Sequence, residues 1–292
     1  MSSGSVDGVL QLDDVAAELV HESFSVDTSD REDHTFCGIM FDCQCRPNPS
    51  GPIDYIEVQS VAVRGKLGPL TVWRTLEGGH AGKHETAEAW TKVYEANHSP
   101  SKNKFVELTL TTPIRLRVGE RCGLYVHSAL SGDQAIVYDD QHHHRLSYED
   151  KCFQVFPGKA HLANKPFGKR GMWWGSPWRR EREFVGRLCY GVRWKMWVPR
   201  PEVHLQFPRA FRRTVEVMLM GSRRPESLLY LLQDEIVLFI MNKCWWSWWG
   251  EDDGRESSRS AARKRRLFTE AEEQVEEVEP ARRKGKSNKS RM

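Results

Sequence analysis

Between residues 35 and 198 apolar and polar side chains change places every second residue, run after run. In an extended chain successive side chains point to opposite faces, so such a run is a strand with one face buried and one face wet. Ile114-Arg115-Leu116-Arg117-Val118 is the cleanest case, and Val106, Leu108 and Leu110 share one side of 105–110 in the same way. In 184–194 the residues Phe184, Leu188, Tyr190, Val192 and Trp194 are expected on one side. Shorter runs lie at 36–43, 55–63, 70–73, 90–95, 122–128, 135–138 and 152–156. Turn-forming pieces separate them, among them 47–52 with three prolines, Gly78-Gly79, Ser131-Gly132-Asp133 and Pro157-Gly158. Many short strands with regular punctuation, and no helical pattern of about 12 residues between them, exclude a parallel βαβ sheet. The expectation is a mainly β chain whose residues 35–198 form an antiparallel, jelly-roll-like β-sandwich.

The flanks follow other rules. In 6–24, Val9, Leu12, Val15, Ala16, Leu19 and Val20 recur at three- and four-residue spacing, which predicts an amphipathic helix, with 25–34 as a polar linker, so that 1–34 is a helix and linker. After Pro199 the pattern predicts a two-helix extension over 199–250, with helices at 208–220 and 225–249 parted by Gly221-Ser222-Arg223-Arg224. Residues 251–292 carry 12 basic and 10 acidic side chains with Phe268 as their one aromatic. Such a segment cannot bury enough apolar area to offset its ordering entropy, so disorder is expected there.

The balance of 43 basic and 40 acidic residues, a formal charge of +3, calls for neither nucleic acid nor an anionic membrane as partner. The longest apolar stretch, 228–249, is broken by Gln233, Asp234, Glu235, Asn242 and Lys243, so no membrane span is expected. Seven scattered cysteines in a chain without an apolar leader predict a reducing, intracellular setting, cytoplasmic or nuclear. Two basic clusters, Arg263, Lys264, Arg265, Arg266 and then Arg282, Arg283, Lys284, are spaced like a two-part nuclear-import signal.

Gly38-Ile39-Met40-Phe41-Asp42, Leu70-Thr71-Val72-Trp73, Trp90-Thr91-Lys92-Val93 and Gly123-Leu124-Tyr125-Val126 occur in this order, followed by Pro166-Phe167 and Trp173-Trp174. In that order they resemble a β-sandwich domain family whose members open with a G-x-M-F-D-V strand. The resemblance spans about 160 residues. It implies a sandwich that serves as a repeated or stand-alone module attached to other domains, with no catalytic set to carry over. Cys43 stands where that strand usually has Val. A second segment, Leu231-Leu232-Gln233-Asp234-Glu235-Ile236-Val237-Leu238-Phe239-Ile240, is similar to the opening helix of an F-box, without its proline. That likeness implies docking on a ubiquitin-ligase adaptor.

His142-His143-His144, flanked by Asp139, Asp140, Glu149 and Asp150, has the residue types that bind divalent metals. Successive side chains on an extended segment diverge, so the run reads as a solvated loop and no metal is expected. Cys43 and Cys45 with Cys37 lack a second ligand pair at zinc spacing, and free thiols beside a β core are expected instead. No nucleophile elbow, phosphate loop or H-E-x-x-H occurs, and no enzyme and no cofactor are expected.

Tryptophan, 11 residues, is the most unusual component. Trp73, Trp90 and Trp194 sit in strand patterns and are expected in cores. Trp173, Trp174 and Trp178 could line a ligand surface. Trp245, Trp246, Trp248 and Trp249 cannot all face one side of a helix, so part of that group should meet a partner. With Leu231, Leu232, Glu235, Ile236, Phe239 and Ile240 they form the expected partner-binding segment. The function expected is a non-catalytic protein-interaction or scaffolding module; the alternatives are an F-box-like ubiquitin-ligase substrate adaptor and a carbohydrate-binding module.

Overall fold

A computed structural model describes residues 21–49, 51–142, 145–169 and 175–249. The predicted helix up to residue 20, His143, His144, Trp173, Trp174 and the whole of 251–292, with its basic clusters, lie outside the described residues. The chain divides into two compact units, one of residues 1–207 with 238–243 and one of 208–237 with 244–292.

The first unit is mainly β. Its described strands are β1 (His21–Asp27), β2 (His34–Phe36), β3 (Gly38–Cys45), β4 (Ile53–Gly65), β5 (Gly68–Thr75), β6 (Trp90–His98), β7 (Ser101–Arg117), β8 (Arg121–Ser128), β9 (Ile136–Asp140), β10 (Tyr148–Glu149), β11 (Phe153–His161), β12 (Trp178–Phe184) and β13 (Arg187–Trp194). Every pairing is antiparallel, in a sheet of order β1-β13-β4-β7 and a larger one of order β2-β9-β12-β11-β3-β8-β5-β6, with β10 added beside β11. The chain changes sheet repeatedly, at β3 to β4, β4 to β5, β6 to β7, β7 to β8 and β12 to β13. Repeated crossing lets two antiparallel layers share one interior, and the result is a β-sandwich.

Alternation places the interior. On β4, Ile56 and Val58 are buried; on β7, Leu108, Leu110, Ile114 and Leu116; on β13, Leu188, Tyr190 and Val192. The Phe153 ring of one sheet stacks on the Tyr190 ring of the other with centroids 4.8 Å apart. Pro113, which has no N–H, falls where the β4 register jumps from Ile114 opposite Val58 to Thr109 opposite Ser60, so two expected strands form one interrupted strand.

Three expectations are corrected. Residues 21–24 continue no helix: β1 pairs along β13, because Phe24 and Val26 alternate with Ser23 and Ser25, and Phe24 stacks on Tyr190 at 5.4 Å. The expected linker is also built in. Thr28, buried, donates through Oγ1 to the Phe184 carbonyl at 2.8 Å and accepts from the Gly186 N–H at 3.0 Å. Run 184–194 divides at Val185-Gly186, where the chain leaves β12 for β13, so Phe184 belongs to the other sheet; it stacks on Phe41 at 4.3 Å.

The expected helix 225–249 is three pieces, a 3-10 turn at Leu228–Leu231, a helix at Asp234–Lys243 and a 3-10 turn at Trp246–Trp249. Ser227 caps the first turn by accepting from the Leu229 N–H, Leu232 is extended, and Asp234 and Glu235 give the next helix a fresh acidic start. In the first unit, helix α1 (Pro201–His204) follows Trp197, whose backbone N–H donates to Asn242 Oδ1 at 2.8 Å while Asn242 Nδ2 donates to the Trp197 carbonyl at 2.9 Å. The second unit holds α2 (Arg209–Ser222), which buries Phe211 and Val215 one turn apart and packs against 228–231 and 246–249. Among the described residues no helix is long and apolar enough to cross a membrane.

Gly158 sits at the bulge where β11 shifts register against both neighbours. A Cβ there would lie 1.7 Å from the Met40 carbonyl oxygen, which is backbone and cannot swing away. Gly158→Ala is therefore expected to cost about 3 kcal/mol or more, or to prevent folding, while an alanine at exposed Lys104 is expected to change stability by less than about 0.5 kcal/mol, read from urea unfolding midpoints.

Candidate functional site

Strand β8 is buried at every residue from Cys122 to Ser128, although a half-wet strand would alternate. In register Met40 lies opposite Tyr125 and Gly38 opposite His127, so these residues share the face of the larger sheet turned away from the sandwich interior. That face carries its own small core of Met40, Trp90, Tyr125, Phe167 and Trp178, with Trp73 packed against it. The segments before β6 and after β11 close over it: Trp90 Nε1 donates to the Lys83 carbonyl at 2.9 Å, and Phe167 meets Trp73 edge-on at 5.3 Å.

Two histidines are buried in this layer. His161 donates from Nε2 to the Gly168 carbonyl at 3.0 Å and accepts at Nδ1 from the Tyr125 hydroxyl at 2.6 Å, and Trp178 stacks on its ring at 3.9 Å. His127 donates from Nε2 to the Ala163 carbonyl at 2.9 Å. Both carbonyls fix neutral tautomers. Burial, the largest influence on each, pushes His127 down to about 4 and His161 to about 3. Nearby, His80 Nδ1 lies 2.7 Å from Asp42 Oδ1, and the His80 backbone N–H donates to the same oxygen at 2.7 Å. A carboxylate that grips both ring and backbone of one residue pins the 76–86 segment to β3. Tyr125, His127, His161, Asp42 and His80 thus each hold a covering segment in place.

The thiols are all free. Cys37, Cys43, Cys45, Cys122 and Cys152 are buried, and burial raises the thiol of each, Cys37 to about 11 and Cys45 and Cys152 to about 12. A raised pKa leaves little thiolate to react or bind metal at neutral pH.

The residues singled out for ligands and partners separate sharply. Trp178, expected on a ligand surface, is 5% exposed beneath the covering segments, which corrects that expectation. Trp73, Trp90 and Trp194 are in or against cores as expected. In the partner segment Leu231 is 81% exposed, and Glu235, Ile236, Phe239, Trp248 and Trp249 are exposed; Leu232, Ile240, Trp245 and Trp246 are partly covered. His142 is exposed, with Nε2 3.4 Å from Glu32 Oε1. Sequence reasoning missed the aromatic and histidine layer; the unbroken apolar run from Leu124 to Val126 and the two histidines at strand ends were its only signal.

No protein-family model and no curated protein matches the chain. Two solved structures, of infectious bursal disease virus strains Gt and Gx, are each 10% identical to it, with TM-scores of 0.20 and 0.19; the aligned part covers 75% of this chain and 49% of those chains. The chain thus spans about half the length of the solved chains it matches.

Two outcomes follow from the buried groups. Unfolded, both histidines titrate near 6.5, so between about pH 6.5 and about pH 4 the unfolded chain takes up protons that the folded chain refuses. Their contribution to stability is complete above 6.5 and falls as pH drops through this window, by up to about 1.4 kcal/mol per pH unit for each histidine. Urea unfolding at stepped pH should show it, and a midpoint constant down to about pH 4.5 would contradict the assignment. A thiol reagent at neutral pH should modify Cys189 and Cys244, which are partly exposed, well before the five buried cysteines, as peptide mapping against time would record.

Proposed function

We propose that this chain is a non-catalytic protein-interaction or scaffolding module, with a β-sandwich as its rigid body and the 208–249 region as its contact surface. The observation that carries this reading is the distribution of exposed apolar side chains. Residues 208–237 and 244–249 expose eight large ones, among them Leu228 at 87%, Leu231 at 81%, Trp248 at 69% and Val217 at 61%. The described residues of 21–207 with 238–243 expose five. Apolar area left in water is unfavourable by about 25 cal/mol per Å² relative to burial, and a concentration of it marks an interaction surface. Exposed Tyr230, Trp248 and Trp249 also have the composition of binding hot spots better than of a solvated linker.

The partner chemistry that fits is an apolar groove or helix face on another protein. Leu228, Leu231 and Tyr230 sit on one short turn, a compact set of anchors of the kind such a groove accepts. A ubiquitin-ligase adaptor is one partner of this kind, and the segment similar to an F-box helix overlaps the turn.

The test is capture from a cell extract by the intact chain, beside the variant carrying Leu228→Asp and Leu231→Asp. Both residues are almost fully exposed, so the variant is expected to keep the unfolding midpoint of the parent while losing captured partner at least tenfold. Equal capture by both proteins would sink the reading. Recovery of a ligase adaptor subunit among the partners lost would select the adaptor form of it.

A further inference from the structure

At the β2 edge of the larger sheet three donor atoms converge from segments more than a hundred residues apart. His34 Nε2 lies 3.4 Å from Glu32 Oε2 and 4.0 Å from Asp140 Oδ2, and the donor atoms of these three residues all lie within 4.8 Å of one another. The other oxygen of Glu32 faces His142 Nε2 at 3.4 Å. Nitrogen and oxygen ligands of zinc stand about 2.0–2.2 Å from the ion, so neighbouring corners of a tetrahedron are about 3.3 Å apart. The separation of His34 from Glu32 matches that edge, and that of His34 from Asp140 exceeds it by about 0.7 Å.

We propose that Glu32, His34 and Asp140 form a binding site for one divalent transition-metal ion of the zinc type. Imidazole and carboxylate together suit such ions, whereas calcium and magnesium take oxygen ligands alone. The frame around these ligands is set by groups that do not reach the ion. Asp139, fully buried, accepts from the Arg31 N–H and the Glu32 N–H at 2.9 Å each, and so fixes the turn that carries Glu32 toward β9. The Asp140 N–H donates to Glu32 Oε2 at 3.0 Å, and Arg182 Nε holds Asp140 Oδ1 at 3.1 Å, leaving Oδ2 for the ion. The His142 N–H donates to Glu183 Oε1 at 3.1 Å. Outer partners of this kind orient metal ligands.

Register explains why the sequence hid this site. His34 pairs opposite Tyr138, which brings Asp140, two residues further along β9, level with Glu32, two residues before His34.

The experiment uses the full chain without an affinity tag, stripped with chelator and titrated calorimetrically with zinc chloride, beside His34→Ala, Glu32→Gln and the distant control His98→Ala. One equivalent of zinc is expected on the parent and on the control, with at least tenfold weaker binding by His34→Ala and by Glu32→Gln. Cobalt in place of zinc should give visible d–d bands without a thiolate charge-transfer band, which separates this site from the seven cysteines. Unfolding midpoints of the stripped variants check that the fold is intact. Undiminished zinc binding by both variants, a thiolate band, no binding by the parent, or binding that is lost only with His143→Ala and His144→Ala would each overturn the proposal.

Discussion

The pair β3 and β8 has no wet side, and the rest of the molecule is arranged around that fact. Toward the sandwich, Ile39, Phe41, Leu124 and Val126 fill the interior; away from it, Met40, Tyr125 and His127 need cover of their own. An antiparallel sheet can leave one face in water, but a face carrying Tyr125 among Trp90, Trp178 and Phe167 cannot be left open without exposing several large rings. The cover comes from loops rather than from a helix or a third sheet. Loops bring backbone carbonyls with them, and this is why the buried polar side chains of the layer are histidine, tyrosine and aspartate. Lys83, Ala163 and Gly168 offer carbonyls, and Trp90, His127 and His161 supply the donors.

The sandwich was legible because alternation is a one-dimensional signal. The stretches 108–110 and 114–117 of β7, with one face inside and one outside, carry it in full, and the turns at Gly78, Gly119 and Gly132 fall where positive φ requires glycine. Where a strand is covered on both sides, or is assigned to the other sheet at a bend, alternation loses its meaning. Phe184 satisfies the period of 188–194, yet Val185 and Gly186 carry the chain between sheets, and no count of apolar residues reveals such a crossing. β12 drew no expectation for the opposite reason: Arg179, Arg180, Glu181, Arg182 and Glu183 are all charged, and only its ends, Trp178 and Phe184, are apolar.

At the C-terminal end the same limit appears in helical form. The periodicity of 225–249 is apolar enough for one helix, but Ser227 and Asp234 each offer a better local start, and a chain with two competing starts breaks between them. Exposure of Leu228 and Leu231 could not be read from sequence at all, since an apolar residue on a short turn looks identical whether a core or a solvent lies beside it.

The histidines show how residue type and location divide the work. The chain has 11, and those placed inside, at His80, His127 and His161, are each bonded to a carboxylate or a backbone carbonyl that holds a covering segment. A ring committed in this way has one nitrogen tied down, and for His127 and His161 burial also disfavours protonation. Proton transfer near neutral pH needs a group that gains and loses charge easily, so the His127 and His161 rings are poor candidates for it. The rings at the β2 edge are in the reverse situation. His34 and His142 meet carboxylate oxygens of Glu32 and Asp140 and keep solvent access, and of these two carboxylates Arg182 pairs with Asp140. One residue type thus serves as a structural tie where it is buried against a carbonyl or a single carboxylate, and as a cation-attracting ligand where it keeps solvent access among several carboxylates. The sequence cannot tell these apart, because the difference lies in which distant segment the sheet register brings alongside.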